Sequence, residues 1–160
     1  MRTIEYNRDA AVSYAERWAL RRNPNYYNFD GIGGDCTNFA SQCLYAGSGV
    51  MNYTKDVGWY YNSPFDRAAA WSGAQYFYNF IVRNESVGPT AVIEKIENLE
   101  IGDFIQLHDG IEFYHTLIIT GFSGAEPLIS AHTADAYMRP LGTYTFAKPH
   151  GLHITGVNVW

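Results

Sequence analysis

Apolar residues recur at helical spacing in the first half of this chain and alternate in the second half. Residues 7–23 place Val12, Ala15, Trp18 and Ala19 on one face, which predicts a first helix. Asn7 is a candidate N-cap and Asp9 suits the first turn. Arg17, Arg21 and Arg22 suit the C-terminal end, and Pro24 stops the helix. Residues 36–46 predict a second helix, with Asp35 as N-cap and Gly47 as the glycine just past its end. A third is predicted over 73–83, with Ser72 as N-cap and Ala74, Phe77, Phe80 and Ile81 facing inward. The pattern is weak over 86–100, which reads as a connector. From Gly102 the period becomes two. Strands are predicted over 103–107, 112–120 and 127–132, separated by turns at 108–110 and 121–126. Leu117, Ile118 and Ile119 are apolar on both faces, so the second strand is central. Residues 144–146 and 152–160 add one or two more strands. Helices first and strands afterwards predict an α+β fold, an antiparallel sheet with helices on one side. With no internal repeat, residues 1–160 read as one domain.

The connecting segments are aromatic. Tyr26, Tyr27 and Phe29 lie in the loop before a glycine turn and read as packing residues. Trp59-Tyr60-Tyr61 lies in an irregular stretch, a candidate rim that stacks on sugar or peptide. Asp35, Trp59, Tyr60 and Trp71 are accordingly the candidate substrate-binding residues.

Composition narrows the class. The chain is 47% hydrophobic and 17% charged, so it is globular rather than disordered. Its net charge is −5, with no basic run longer than Arg21-Arg22, which argues against a nucleic-acid partner. The first nineteen residues carry charges throughout and lack the apolar stretch of a signal peptide. No apolar run approaches membrane-spanning length. The expected location is the cytoplasm, or the cell envelope or exterior if this is a domain of a longer secreted chain.

The two cysteines sit at one site each, not in a pair. Cys36 and Cys43 are seven apart on one predicted helix, about 10.5 Å of rise, beyond disulfide reach. Cys36 follows Gly33-Gly34-Asp35 at the first helical position, where free N–H groups and the helix dipole favour an anion. That placement suits a thiolate nucleophile. The histidines extend the idea. If Thr120 lies opposite Pro127 in a hairpin, His115 and His132 become direct cross-strand neighbours on one face. Cys36, His115 and His132 then form a nucleophile, a base and a group that orients the base, the arrangement of covalent acyl transfer. Asp135, just past the third strand, is the second candidate for the orienting role.

The same residues carry a resemblance. A glycine turn, Asp-Cys and a helix, followed by a Gly-Asp-led strand, a His-led strand and a third strand ending in a polar residue, resembles the papain-like cell-wall hydrolases of the NlpC/P60 and CHAP type. More closely, the chain is similar to the putative amidase domain family of Gram-positive bacteria. The segments GGDCTNFASQCLYAG at 33–47, GDFIQLHD at 102–109, HTLIIT at 115–120 and SAHTADAYMRPL at 130–141 carry the likeness. It implies a papain-like fold and a cysteine amidase or peptidase without a cofactor. In that reading Cys36 is the nucleophile, His115 the base and His132 the third member, with peptidoglycan stem peptides as the substrate class. One departure stands out: Thr37-Asn38 follow the cysteine where NlpC/P60 members usually carry Ser-Gly. Three other readings stay open at this stage. Cys36, His115, His132 and Asp135 form a candidate zinc set. The aromatic loops alone suit a glycan- or peptide-binding module. An amine in place of water would make the enzyme a transferase.

Overall fold

The computed structural model describes residues 1–145 and 148–160, and it is a mixed α+β structure. β1 (Arg2–Ile4) leads into α1 (Arg8–Trp18). Asn7 caps α1 as expected, its side chain accepting from the Ala10 amide at 3.0 Å. Buried Ala11 and Ala15 let α1 pack closely on α2 (Cys36–Ser48). α2 runs past the expected stop. Gly47 lies inside it, and Gly49, with φ 73°, supplies the left-handed cap. Gly47 has a different task. A Cβ there would fall 2.3 Å from the Tyr6 ring and 2.7 Å from the Asn7 carbonyl oxygen. Only glycine lets the start of α1 dock here, where the Asn7 N–H donates to the Gly47 carbonyl at 2.9 Å.

β2 (Tyr61–Ser63) and β3 (Asp66–Arg67) form a small separate hairpin. A short helix, α3 (Ala69–Ser72), precedes α4 (Ala74–Ile81), which lies within the helix expected over 73–83. Ser72 is not an N-cap. It ends α3, and its hydroxyl accepts from Arg67 Nε at 2.8 Å, while Gly73 bridges the two helices in an extended conformation. The stretch expected as a connector contains β4 (Gly88–Glu94). Then follow β5 (Phe104–His108), β6 (Phe113–Ser123), β7 (Glu126–Ala131), β8 (Ala136–Pro140) and β9 (Lys148–Val159). Of the strand expected over 144–146, Tyr144 follows a short 3-10 turn, and Phe146 lies outside the described residues. The main sheet runs β1-β9-β5-β6-β7-β8, with β4 also on β9, and its neighbouring strands are antiparallel.

The sheet separates two apolar layers. On one face Phe39, Leu44, Trp71 and Phe77 from the helices pack on Phe104, Ile118 and Leu152. On the other, Ile105, Leu107, Leu117, Ile119 and Ile129 are covered by Leu99, Leu141 and Tyr144, with no helix involved among the described residues. No described helix is long and apolar enough to cross a membrane.

The β6–β7 register departs from the expected one. Ile119 pairs with Ile129, but Gly121 pairs with Leu128, so Thr120 is an extra residue in a bulge. Its hydroxyl bonds to Ser130 Oγ at 2.8 Å. Phe122, not Thr120, lies opposite Pro127. Below the bulge Ile118 faces Ser130, and β7 ends at Ala131. His115 therefore shares a face with Leu117 and Ile119, while His132 turns to the helical face. The two histidines are not cross-strand partners, because a one-residue shift moves a side chain to the opposite side.

Gly47→Ala should cost roughly 2 kcal/mol, since the overpacking penalty outweighs the gain in helix propensity. Gly49→Ala, which meets no neighbour within 4 Å, should lose only about 1 kcal/mol from its left-handed backbone. Urea titrations of both variants check the order.

Candidate active site

A pair of left-handed glycines, Gly33 (φ 85°) and Gly34 (φ 98°), turns the chain under Thr133 and into α2. A Cβ on Gly34 would sit 3.1 Å from Thr133 Oγ1. Thr133 is itself left-handed (φ 62°), a strained state for a β-branched residue. Its hydroxyl accepts the Asp35 N–H at 2.8 Å.

Asp35 precedes α2 but does not cap it: no side chain does so. Its carboxylate turns inward instead. Oδ1 accepts from the Phe29 N–H and from Asn38 Nδ2, both at 2.8 Å, and Oδ2 meets His132 Nδ1 at 2.6 Å. Arg22 Nε lies 3.5 Å away, its guanidinium also pairing with Asp135 at 2.8 Å and with Asp30. The first-turn amides of α2 are thus left without an N-cap side chain, which keeps the helix start open as an oxyanion site requires.

Cys36 opens α2 with 8% of its surface exposed. Its sulfur lies 3.9 Å from the Tyr114 carbonyl oxygen and takes hydrogen bonds from the Thr116 and Thr37 N–H groups. It therefore rests against the β6 backbone on both sides of His115, beyond the point where β7 ends. Burial pushes the thiol above its usual 9.0, outweighing those donors, and Asp35 adds to the rise. Desolvation thus opposes the ease of thiolate formation expected from the helix start.

His115 stands on the far face of β6. Its ring meets Tyr144 edge-on at 5.9 Å, and it makes no hydrogen bond among the described residues. Burial, aided by Arg139, drives its pKa down to about 4, so the imidazole is neutral near pH 7. Arg139 covers the Tyr144 ring at 3.8 Å. Tyr144 and Arg139 are residues that sequence reasoning missed; nothing in their spacing ties them to Cys36.

His132 does not orient His115. Both its nitrogens are engaged on the helical side, Nδ1 with Asp35 and Nε2 with the Trp18 carbonyl at 2.8 Å. Its ring stacks on Phe39 at 4.0 Å and is 1% exposed. Asp135 pairs with Arg22 and cannot take the orienting role either. With His132 and Asp135 so committed, and His115 on the opposite face of the sheet from them, the zinc set does not converge.

A cleft of about 250 Å³ leads to the sulfur, walled by Gly34, Ser72, Gln75, Tyr76, Glu112 and Tyr114. Across Gly33-Gly34 it meets a second groove of about 280 Å³ beside Phe29, Ile32 and Arg67. The expected aromatic rim is elsewhere. Trp59 and Trp71 are fully buried, 4.9 Å apart, their indole N–H groups donating to Ser41 and Asn38. Tyr60 packs on Tyr53, and neither lines the cleft. Asp35 is buried inside the fold. Large aromatics serve a core here because the helices are short and leave wide gaps to fill.

Comparisons with known proteins place this arrangement. The model of the putative amidase domain matches residues 5–155. Two proteins of Bacillus subtilis (strain 168) are similar: the uncharacterized protein YhbB, 34% identical over 86% of this chain and 45% of its own length, and the uncharacterized protein YjcM, 31% identical over 81% of this chain and 31% of its own. The chain spans less than half the length of either. No solved structure matches it.

Two outcomes follow from this geometry. Asp35→Ala should destabilise by about 3 kcal/mol, because it strands the Phe29 N–H, the Asn38 amide and a buried imidazole; thermal denaturation reads this. His115 holds no proton when folded until the pH nears 4, whereas unfolded it binds one below 6.5. The contribution is present in full above pH 6.5 and is lost as pH falls towards 4, up to about 3 kcal/mol. Unfolding free energy of His115→Ala should be flatter across that window than that of the parent.

Proposed function

The chain belongs to the putative amidase domain family, and from that premise we propose that it is a cysteine hydrolase cleaving amide bonds through an acyl-enzyme. The observation that carries the reading is the placement of Cys36. It sits at an uncapped helix start, at the end of a cleft, with its sulfur against the backbone of a neutral histidine.

The steps follow from that placement. Cys36 Sγ attacks the carbonyl carbon while its proton passes to His115. The carbonyl oxygen becomes an oxyanion near the uncapped first turn of α2. The C–N bond breaks as His115 returns the proton to the amine, leaving a thioester. Water, deprotonated by His115, then attacks the thioester and restores the thiol. The two joined grooves suit an extended peptide, and Gly33-Gly34 let its backbone pass without side-chain obstruction. Stem peptides of peptidoglycan are the proposed substrates, on the strength of the likeness to cell-wall hydrolases. His132 acts in this scheme through Asp35, by holding the start of α2 in place.

Digestion of purified peptidoglycan, with mass analysis of the fragments, is the test. Cys36→Ala should abolish cleavage while changing stability by no more than about 1 kcal/mol. His115→Ala should reduce turnover by 10²-fold or more, roughly the worth of a general base. Cleavage that survives Cys36→Ala would overturn the mechanism.

A further inference from the structure

A chain of buried donors ends at the nucleophile. Thr37 Oγ1 lies 3.7 Å from Cys36 Sγ and 2.8 Å from Thr116 Oγ1. Gln106 Nε2 lies 3.1 Å from Thr116 Oγ1 and 2.9 Å from the Ala74 carbonyl oxygen. Thr37, Thr116 and Gln106 are each at most 1% exposed.

The direction of this chain is determined. The Ala74 carbonyl only accepts, so the Gln106 atom facing it must be the NH₂ group. A flipped amide would set two acceptors 2.9 Å apart. Thr116 Oγ1 therefore accepts from Gln106 and keeps one proton of its own. That proton goes to Thr37 Oγ1, its other close oxygen among the described residues. The Thr37 proton is left for the sulfur. Gln106 Oε1 meanwhile is buried without a partner. An unpaired carbonyl oxygen in a core is costly and calls for a reason. Here the amide is held in the orientation that spends both N–H groups on Ala74 and Thr116.

We propose that Thr37 is a positioning residue for amide cleavage, aiming a hydroxyl donor at Cys36 Sγ in a direction set by Gln106 and Thr116. This rests on the cysteine hydrolase reading. The sulfur gains charge in the reaction while buried, and hydrogen bonding to the charged form favours it. The Thr116 and Thr37 N–H groups also reach the sulfur, and the charged and titratable groups around it add little that favours an anion. Asp35 beside it is anionic, Glu112 and Tyr114 line the cleft, and His115 is neutral near pH 7. Tyr144 is a phenol whose pKa is itself raised by burial, and the Arg139 guanidinium bonds to Thr143 and covers the Tyr144 ring. No proton travels along the chain; each hydroxyl only points the next.

The test is the pH dependence of Cys36 alkylation by iodoacetamide, followed by mass spectrometry of the Cys36 peptide, in the parent, Thr37→Val and Thr37→Ser. Thr37→Val keeps the shape and removes the donor, so the midpoint should rise by roughly one pH unit. Thr37→Ser should stay near the parent. An unmoved midpoint in Thr37→Val, or an equal rise in Thr37→Ser, overturns the proposal. Should Thr37→Val not fold, Thr116→Val replaces it: it unhooks the chain one step earlier and should raise the midpoint by a smaller amount, and no rise overturns the proposal. Alkylation needs no substrate, which separates the two readings. A midpoint that rises in a protein inert towards amides keeps the donor chain and discards the hydrolase. An unmoved midpoint in an active amidase does the reverse.

Discussion

The carboxylate of Asp35 is 1% exposed, and an unpaired charge so placed would cost several kcal/mol. The groups that meet it come from four separate segments. Phe29 contributes a donor from the loop before the glycine turn, Asn38 from α2 and His132 from the end of β7, while Arg22, beyond α1, brings its charge to 3.5 Å. Each donor is fixed in turn. His132 reaches back to the last carbonyl of α1 at Trp18, and Asn38 accepts from the Trp71 indole. One buried charge thus sets where α1, α2, α3 and the sheet meet. The residue after that charge is Cys36, so the sulfur inherits the precision of the whole junction.

That precision comes with an unfavourable local field. The thiol is raised above 9.0 and the imidazole lowered to about 4, both chiefly by burial. Both shifts work against a preformed thiolate–imidazolium pair. In the proposed mechanism the attack therefore couples proton transfer to C–S bond formation, and charge appears on sulfur as it passes to the carbonyl oxygen. Under that condition the donors around the sulfur and the amides at the α2 start matter more than the dipole of the helix. They act on the charge where it develops rather than on the free thiol.

The elements were legible where local rules decide them. Asn7, the Asp-Cys step into α2 and the period-two run from Gly102 each act within a few residues, and each element formed. β4 was also within reach, since Thr90, Val92 and Ile93 are β-branched, but Gly88-Pro89 at its start hid it. The register of β6 and β7 was not legible. It depends on whether Thr120 bulges, and that is settled by Ser130 on the neighbouring strand. The shift reversed the relation of His115 to His132 while leaving both near the same strands. The aromatic loop misled for a related reason. A tryptophan that stacks on a ligand and one that stacks on Trp71 look the same in a sequence. The position of Cys36 at a helix start was legible because glycine pair, acidic residue and helix start are all local.

The two residues after Cys36, Thr37 and Asn38, do different work. Asn38 faces the junction: its amide donates to Asp35 and to the Tyr27 carbonyl, and its carbonyl accepts from Trp71. Glycine at that position would leave a buried indole N–H and one carboxylate oxygen short of a partner. The asparagine and the Asp35–His132 pair therefore belong together as one structural solution. Thr37 faces the sulfur and the sheet, where a serine would keep the hydroxyl but not the methyl that fixes its rotamer. A threonine in a helix splits between two rotamers, and the 2.8 Å bond to Thr116 selects one of them. The Thr37-Asn38 step thus makes two coupled choices, one that anchors the helix carrying Cys36 and one that sets a hydroxyl beside its sulfur.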